Sequence, residues 1–240
     1  MNIMKRIQEK AADNWNNRGV TIAFLGDSVT QGCFEIYKDN NGEIVPIFDK
    51  ESAYHNYLNQ IMSLLYPSVP ITIVNAGISG DRASHGYERL EKDILPFSPD
   101  LVVVCFGLND STLGLENIHS YGESLRRIFR KLQKNNIEVI FMTPNMMNTY
   151  VSEFLTDQDM RSIAKAAMLC QNEGIMDKYM KEAALVCEEC KVPMSDCYAK
   201  WKKLAANGVD ITRLLSNKIN HPSREMNWIF AVSLLETMMQ

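Results

Sequence analysis

This 240-residue sequence contains no long apolar run and carries little excess charge of either sign. Its formal net charge is −4 and its basic residues are scattered, so it has no electrostatic footprint for nucleic acid or an anionic membrane. No apolar run is long enough to span a bilayer, and the first residues lack the apolar segment of a signal peptide. We therefore expect a cytoplasmic protein with no nucleic-acid partner and no stable membrane insertion; a homo-oligomer is possible.

Histidine and cysteine are also scarce, with four and six residues respectively. In a cytoplasmic protein the cysteines are expected to be reduced thiols. Only Cys187-x-x-Cys190, followed by Cys197, resembles a zinc-binding spacing. Cys187 and Cys190 lie at helical spacing and no histidine is near them in sequence, which favours structural thiols. We expect neither a metal site nor a cofactor.

Apolar strands and amphipathic helices alternate along the chain. Strands are predicted over residues 20–25, 70–75, 100–106, 137–142 and 192–195, with helices between them such as 118–134. This alternation predicts an α/β protein with three α/β/α layers and a five-stranded parallel sheet. The preferred strand order is flavodoxin-like, 2-1-3-4-5. The composition, 46% hydrophobic and 22% charged, suits a single domain over residues 1–240.

Two segments interrupt this alternation. Residues 33–50 read as an inserted hairpin with a Gly-containing turn, standing over the end of the first strand. Tyr37 and Phe48 there have two open roles, shaping a pocket or packing the underside of the hairpin. Residues 143–171 read as a long loop with Met146, Met147, Tyr150 and Phe154, which suits an apolar pocket or a partner surface.

The first strand ends in the turn Gly26-Asp27-Ser28. Capping a helix is the commonest role for Asp and Ser at such a position, so the turn alone does not indicate catalysis. In the order 2-1-3-4-5, however, the ends of the first three strands place Ser28, Gly80 and Asn109 side by side at the topological switch point. Ligands of open α/β sheets bind at that point.

Four short segments together resemble the SGNH branch of the GDSL esterase/lipase family. They occur in the family's order, over about residues 20–235: Gly26-Asp27-Ser28, Ser79-Gly80-Asp81, Gly107-x-Asn109-Asp110 and Asn220-His221-Pro222. The stretches 192–201 and 214–217 further resemble members that act as carbohydrate or acyl esterases.

The resemblance implies a role for each matching residue. Ser28 is the expected nucleophile and His221 its base, because a serine hydroxyl needs an adjacent base and no other histidine matches a motif. The expected oxyanion hole comprises the backbone N–H groups of Ser28 and Gly80 and the side-chain amide of Asn109. The adjacent acidic residues are expected to support the turns: Asp27, Asp81 and Asp110. Arg82 is expected to pair with one of them or to meet a substrate oxygen.

One position departs from the family pattern Asp-x-x-His. The residue three before His221 is Lys218, which cannot accept a hydrogen bond. Asn217 is the preferred occupant of the orienting role, and a backbone carbonyl is the alternative. Asp196 is a less favoured orienter, because capping the helix that follows it is its preferred role. The expected site is thus a Ser28–His221 dyad helped by Asn217 or by main chain.

The resemblance implies a serine esterase that works through an acyl-enzyme. Short acyl groups such as acetate on a carbohydrate are the first expectation. A lysophospholipase or thioesterase is the alternative within the family, because the 143–171 loop could bind a longer chain. A non-catalytic flavodoxin-like binding domain is the alternative from another class, with Asp27 and Asp110 as its acidic residues.

Overall fold

The computed structural model describes all 240 residues and contains seven strands. They are β1 Val20–Gly26, β2 Cys33–Lys38, β3 Ile44–Phe48, β4 Ile71–Gly77, β5 Leu101–Cys105, β6 Glu138–Met142 and β7 Met194–Ser195. Five of them form one parallel sheet in the order β4-β1-β5-β6-β7. Counted along that sheet, the order is 2-1-3-4-5, so the predicted topology is confirmed.

Eleven α-helices accompany the strands. In chain order they are α1 Asn2–Ala12, α2 Ser28–Gln31, α3 Tyr54–Leu65, α4 Ala83–Glu88, α5 Leu90–Asp93, α6 Leu108–Ser111, α7 Ile118–Lys134, α8 Gln158–Asn172, α9 Ile175–Cys190, α10 Cys197–Ala206 and α11 Asn227–Met238. α4, α7 and α9 pack together in one layer, whereas α3, α10 and α11 pack together in the other. None of these helices is both long enough and apolar enough to span a bilayer.

The central strand β5 shows why the sheet lies between two helical layers. All its residues, Leu101 to Cys105, are fully buried, as expected for a parallel strand covered on both faces. The amphipathic helix α7 covers one face with Leu125, Ile128, Phe129 and Leu132. The polar turns that follow β1, β4 and β5 therefore meet at one edge of a rigid sheet.

The prediction of one long loop over residues 143–171 is wrong in its second half. The irregular chain ends at Asp157, whose side chain caps α8 by accepting from the backbone N–H groups of Asp159 and Met160. Helix α8 was missed because its inward face is partly small or polar, with Ala164, Ala167 and Gln171 buried. Met146 and Met147 are buried as well and line no open surface.

The segment after α2 forms a separate two-stranded antiparallel sheet of β2 and β3. Asp39 closes its turn by accepting from the backbone N–H groups of Asn41 and Glu43. At the base of the hairpin, the backbone N–H of Asp49 donates to the carbonyl of Gly32 at 2.8 Å. The hairpin therefore starts directly after the turn that carries Ser28.

Candidate active site

Ser28 lies in a tight turn between β1 and α2. A Cβ atom at Gly26 would lie 2.1 Å from Oγ1 of Thr30 and 2.8 Å from the carbonyl oxygen of Cys105, so only glycine fits there. Asp27 caps α2, because its Oδ1 accepts from the backbone N–H of Val29 at 3.0 Å. The side chain of Ser28 is thereby held at the carboxyl edge of the sheet, where it is 5% exposed.

Ser28 and His221 are in direct contact. Ser28 Oγ lies 2.8 Å from Nε2 of His221, and Nδ1 of the same ring lies 3.1 Å from the carbonyl oxygen of Phe34. A carbonyl oxygen only accepts, so the neutral ring carries its proton on Nδ1. Nε2 is then free to accept the proton of the Ser28 hydroxyl, as a general base requires.

The protonation state of His221 follows from its burial. The ring is 2% exposed, and burial lowers its pKa to about 4, against the raising effects of the Phe34 carbonyl and of the negative charge on Glu35. His221 is therefore neutral at pH 7. A neutral imidazole bonded to a serine hydroxyl is poised to accept a proton.

The prediction that Asn217 orients the imidazole is wrong, and the main-chain alternative is the one observed. Oδ1 of Asn217 accepts from the backbone N–H groups of Ile219, Asn220 and His221 at 2.9–3.0 Å, and its Nδ2 donates to Oδ1 of Asn220. Asn217 therefore organises the loop that carries the histidine without contacting the ring. The ring contacts the carbonyl of Phe34 in β2 instead.

Gly80 and Asn109 lie next to each other after β4 and β5. Nδ2 of Asn109 donates to the carbonyl of Asp81 at 2.9 Å, which leaves its second N–H available to a substrate. Gly80 is exposed, has φ = 77°, and has no atom within 4 Å of the position a Cβ would take. The space above its backbone is therefore open to a ligand.

A buried arginine that sequence reasoning missed joins these turns. The guanidinium of Arg89 donates to the carbonyls of Gly26 and Ala76, at the ends of β1 and β4, and to the carboxylate of Asp81. The distances are 3.0, 2.6 and 2.7 Å. One side chain thus fixes the nucleophile turn against the Gly80 loop. The only signal in the sequence for this role was the presence of an arginine shortly after the Gly80 turn.

Gln31 is a second residue that sequence reasoning missed. Its Oε1 accepts from the backbone N–H of Ser79 at 2.7 Å and from the Ser79 hydroxyl at 2.8 Å. The helix that begins at Ser28 therefore also holds the residue before Gly80. No motif residue pointed to this contact, because it depends on how two separate turns pack.

The three flanking acidic residues, Asp27, Asp81 and Asp110, are all buried. Burial raises the pKa of Asp27 to about 7 and that of Asp110 to about 6, with the charge of Asp110 adding to the effect at Asp27. Oδ1 of Asp110 accepts from the backbone N–H of Ala83. Arg82 contacts neither carboxylate through a hydrogen bond; its Nε donates to the carbonyl of Asn109 at 3.3 Å.

The remaining candidates make no hydrogen bond to the imidazole, whose partners are Ser28 and Phe34. Asp196 caps α10 by accepting from the backbone N–H of Ala199 and also accepts from the Thr143 hydroxyl. Tyr37 and Phe48 are about half exposed on the hairpin, 49% and 45% respectively. All six cysteines are free thiols, and no group of three or more His, Cys, Asp or Glu side chains is arranged to hold a metal ion.

A buried serine bonded to a neutral histidine, at the carboxyl edge of a flavodoxin-like sheet, is the arrangement of a serine hydrolase. The sequence model of the GDSL-like Lipase/Acylhydrolase family matches residues 24–229. The chain belongs to this family, and the resemblance seen in its four motifs is confirmed.

Solved structures and one curated relative are similar to this chain. Axe2, an acetylxylan esterase from Geobacillus stearothermophilus, superimposes with a TM-score of 0.67 at 21% identity, covering 92% of this chain and 94% of that one. The acetyl xylan esterase AlAXEase gives a TM-score of 0.66 at 20% identity, covering 90% and 98%. These identities establish a shared fold. A curated acetylxylan esterase of Geobacillus stearothermophilus is 30% identical over 92 residues, which are 38% of this chain and 40% of that relative.

Proposed function

We propose that this protein is a serine esterase that removes short acyl groups, with acetate on a carbohydrate as its preferred substrate. The observation that carries the proposal is the 2.8 Å contact between Ser28 Oγ and Nε2 of His221, with the proton of the ring held on Nδ1. This arrangement activates a hydroxyl that is otherwise a weak nucleophile.

In the proposed reaction, Ser28 Oγ attacks the ester carbonyl while Nε2 of His221 takes the hydroxyl proton. The oxyanion that forms is stabilised by the backbone N–H groups of Ser28 and Gly80 and by the free N–H of Asn109, each worth roughly 10²- to 10³-fold in rate. His221 then gives its proton to the departing alcohol. Water, activated by His221, hydrolyses the acyl-enzyme and releases the acid.

A cleft that includes Lys218, three residues before His221, is the candidate subsite for the carbohydrate, although neither Ser28 nor His221 lines it. It has a volume of about 610 Å³ and is lined by residues 150–154 together with Arg213 and Lys218. Lys218 belongs to the loop that Asn217 organises. The exposed rings of Tyr150 and Phe154, next to charged and polar groups, suit a polyhydroxylated ring with apolar faces. The acetylated xylo-oligosaccharides named for the structurally similar Axe2 proteins are substrates of this kind.

A longer acyl chain, as in a lysophospholipase or a thioesterase, is the second candidate. Phe154 is 76% exposed and favours it. The burial of Met146 and Met147 counts against it, since these adaptable side chains are not available to line a channel.

The test compares acetate release from acetylated xylo-oligosaccharides with hydrolysis of p-nitrophenyl esters of increasing chain length. We expect the highest kcat/KM for acetyl esters and a loss of about 10³-fold or more in Ser28→Ala. Ser124→Ala is the matched control, because Ser124 is also buried but its hydroxyl bonds to the backbone of Ser120 in α7. Undiminished activity in Ser28→Ala would disprove the mechanism, and a maximum at long chains would disprove the substrate class.

A further inference from the structure

The imidazole of His221 is oriented by a backbone atom of an inserted hairpin. Its Nδ1 contacts the carbonyl of Phe34, 187 residues away in sequence. The family pattern places an Asp three residues before the histidine, within the same loop. A carbonyl on a separate two-stranded sheet orients the ring only while that sheet is held in place, so the contacts at the base of the hairpin matter.

One side chain holds both strands of the hairpin at its base. Nη1 and Nη2 of Arg224 contact Oε1 and Oε2 of Glu35 at 2.6 and 3.1 Å, and its Nε contacts Oδ2 of Asp49 at 2.8 Å. Glu35 lies in β2, and Asp49 directly follows β3. The guanidinium also lies over the ring of Phe34, 4.4 Å from its centroid. A bidentate pair of this kind fixes direction as well as distance.

The Phe34 carbonyl is also held from the side of the histidine loop. Oγ of Ser216 lies 2.7 Å from the Phe34 oxygen, and the backbone N–H of Ser216 donates to the carbonyl of His221 at 2.8 Å. A carbonyl oxygen has two lone pairs and accepts from both Ser216 and the imidazole. The Phe34 carbonyl and the imidazole of His221 are thus both held by the short segment 216–221.

The charges at this base also suit a catalytic histidine. The negative charge of Glu35 acts on the ring and raises the pKa of His221, against the larger lowering by burial. A negative charge there favours the imidazolium that forms during catalysis. It is the same sign of charge that the family's Asp contributes.

We propose that Arg224 is a positioning residue, which orients His221 by holding the Phe34 carbonyl of the inserted hairpin against Nδ1. Glu35 and Asp49 are its partners in this clamp. Only the predicted effect on kcat rests on the proposed function. The effect on the His221 tautomer does not, because the tautomer can be measured in the folded protein without any substrate.

The test is Arg224→Met, which keeps much of the side-chain volume and removes the charge. Because its partners are partly exposed, the fold is expected to survive the change. We expect nitrogen NMR of the imidazole to show only the Nδ1–H tautomer in the unaltered protein and a mixture in the variant. We expect kcat for p-nitrophenyl acetate to fall about 10- to 100-fold, as for a misplaced catalytic group, with KM changed less than about 3-fold.

Arg126→Met is the matched control. Arg126 also contacts two carboxylates, those of Glu123 and Glu189, but on α7 and α9 away from the histidine loop. We expect the His221 tautomer and the kcat of Arg126→Met to be the same as in the unaltered protein.

Arg224→Lys keeps the positive charge without the bidentate geometry and is expected to retain more of kcat than Arg224→Met. Glu35→Gln breaks the same ion pair from the other side and is expected to show the same mixture of tautomers and the same loss of kcat. It therefore tests the proposal even if Arg224→Met does not fold.

The outcomes separate this proposal from the proposed function. A single Nδ1–H tautomer and unchanged kcat in both Arg224→Met and Glu35→Gln would overturn the positioning role while leaving the esterase intact. An equal loss in Arg126→Met would overturn it too, by showing a general effect of charge removal. If the unaltered protein hydrolyses no ester, the proposed function fails, and the tautomers alone decide the role of Arg224.

Discussion

Two arginines hold the two halves of this site in different ways. Arg89 lies inside the protein, 9% exposed at its side chain, and bonds to the ends of β1 and β4 and to Asp81. Arg224 is 33% exposed and bonds to carboxylates at the base of the hairpin. The nucleophile and its oxyanion loop are thus part of the sheet architecture, whereas the base depends on an insertion. Loss of the first arginine should damage the fold, and loss of the second only the chemistry.

The largest effect is expected for Arg89→Met. The change leaves the buried carboxylate of Asp81 without its main partner and frees the carbonyls of Gly26 and Ala76. We expect the free energy of unfolding to fall by about 3–5 kcal/mol, measured by urea denaturation, together with loss of ester hydrolysis. Arg126→Met, which breaks a more exposed pair, should cost about 1 kcal/mol or less. A cost for Arg89→Met as small as that for Arg126→Met or Arg224→Met would contradict the buried, structural role of Arg89.

The next effect concerns the pH dependence of the base. Burial lowers the pKa of His221 to about 4, and the ring must be neutral to accept the Ser28 proton. As pH falls through 4 the ring becomes protonated, so kcat/KM is expected to be maintained down to about pH 5 and to halve near pH 4. A pH profile with a circular-dichroism control for acid unfolding measures this. A midpoint near 6.5, the ordinary value, would mean that the ring is solvated and not held as described.

The smallest effect is expected where the hairpin meets α8. Lys38 pairs with Asp157 and Asp159 there, away from the hairpin base at Asp49. Exposed pairs of this kind contribute about 1 kcal/mol or less. We expect Lys38→Ala to change kcat less than about 2-fold in the p-nitrophenyl acetate assay. A loss as large as that of Arg224→Met would show that the whole hairpin, and not its base, orients His221.

Much of this fold can be predicted, because its strands and helices follow from the local pattern of apolar residues. The buried run of β5 and the amphipathic helix α7 specify the parallel sheet, and the topology then brings Ser28 close to Gly80 and Asn109. His221 was found from its motif before α11. In the structure its Nε2 lies 2.8 Å from Ser28 Oγ.

The features that the sequence did not predict depend on backbone contacts, which leave no mark in the identity of a side chain. Every residue has a backbone carbonyl, so nothing in the sequence marked that of Phe34 as the acceptor for the imidazole. The side-chain oxygen of Asn217 could accept a hydrogen bond from Nδ1 of His221. In the structure it instead accepts from three backbone N–H groups of its own loop. Local hydrogen bonding of this kind is typical of Asn in turns.

The central claim, that His221 activates Ser28, is tested most directly by a fluorophosphonate probe followed by mass spectrometry of the labelled peptide. We predict one covalent adduct per chain, on Ser28, with no adduct in Ser28→Ala and much slower labelling in His221→Ala. An unlabelled Ser28 in the folded protein, or labelling at the same rate without His221, would contradict the account.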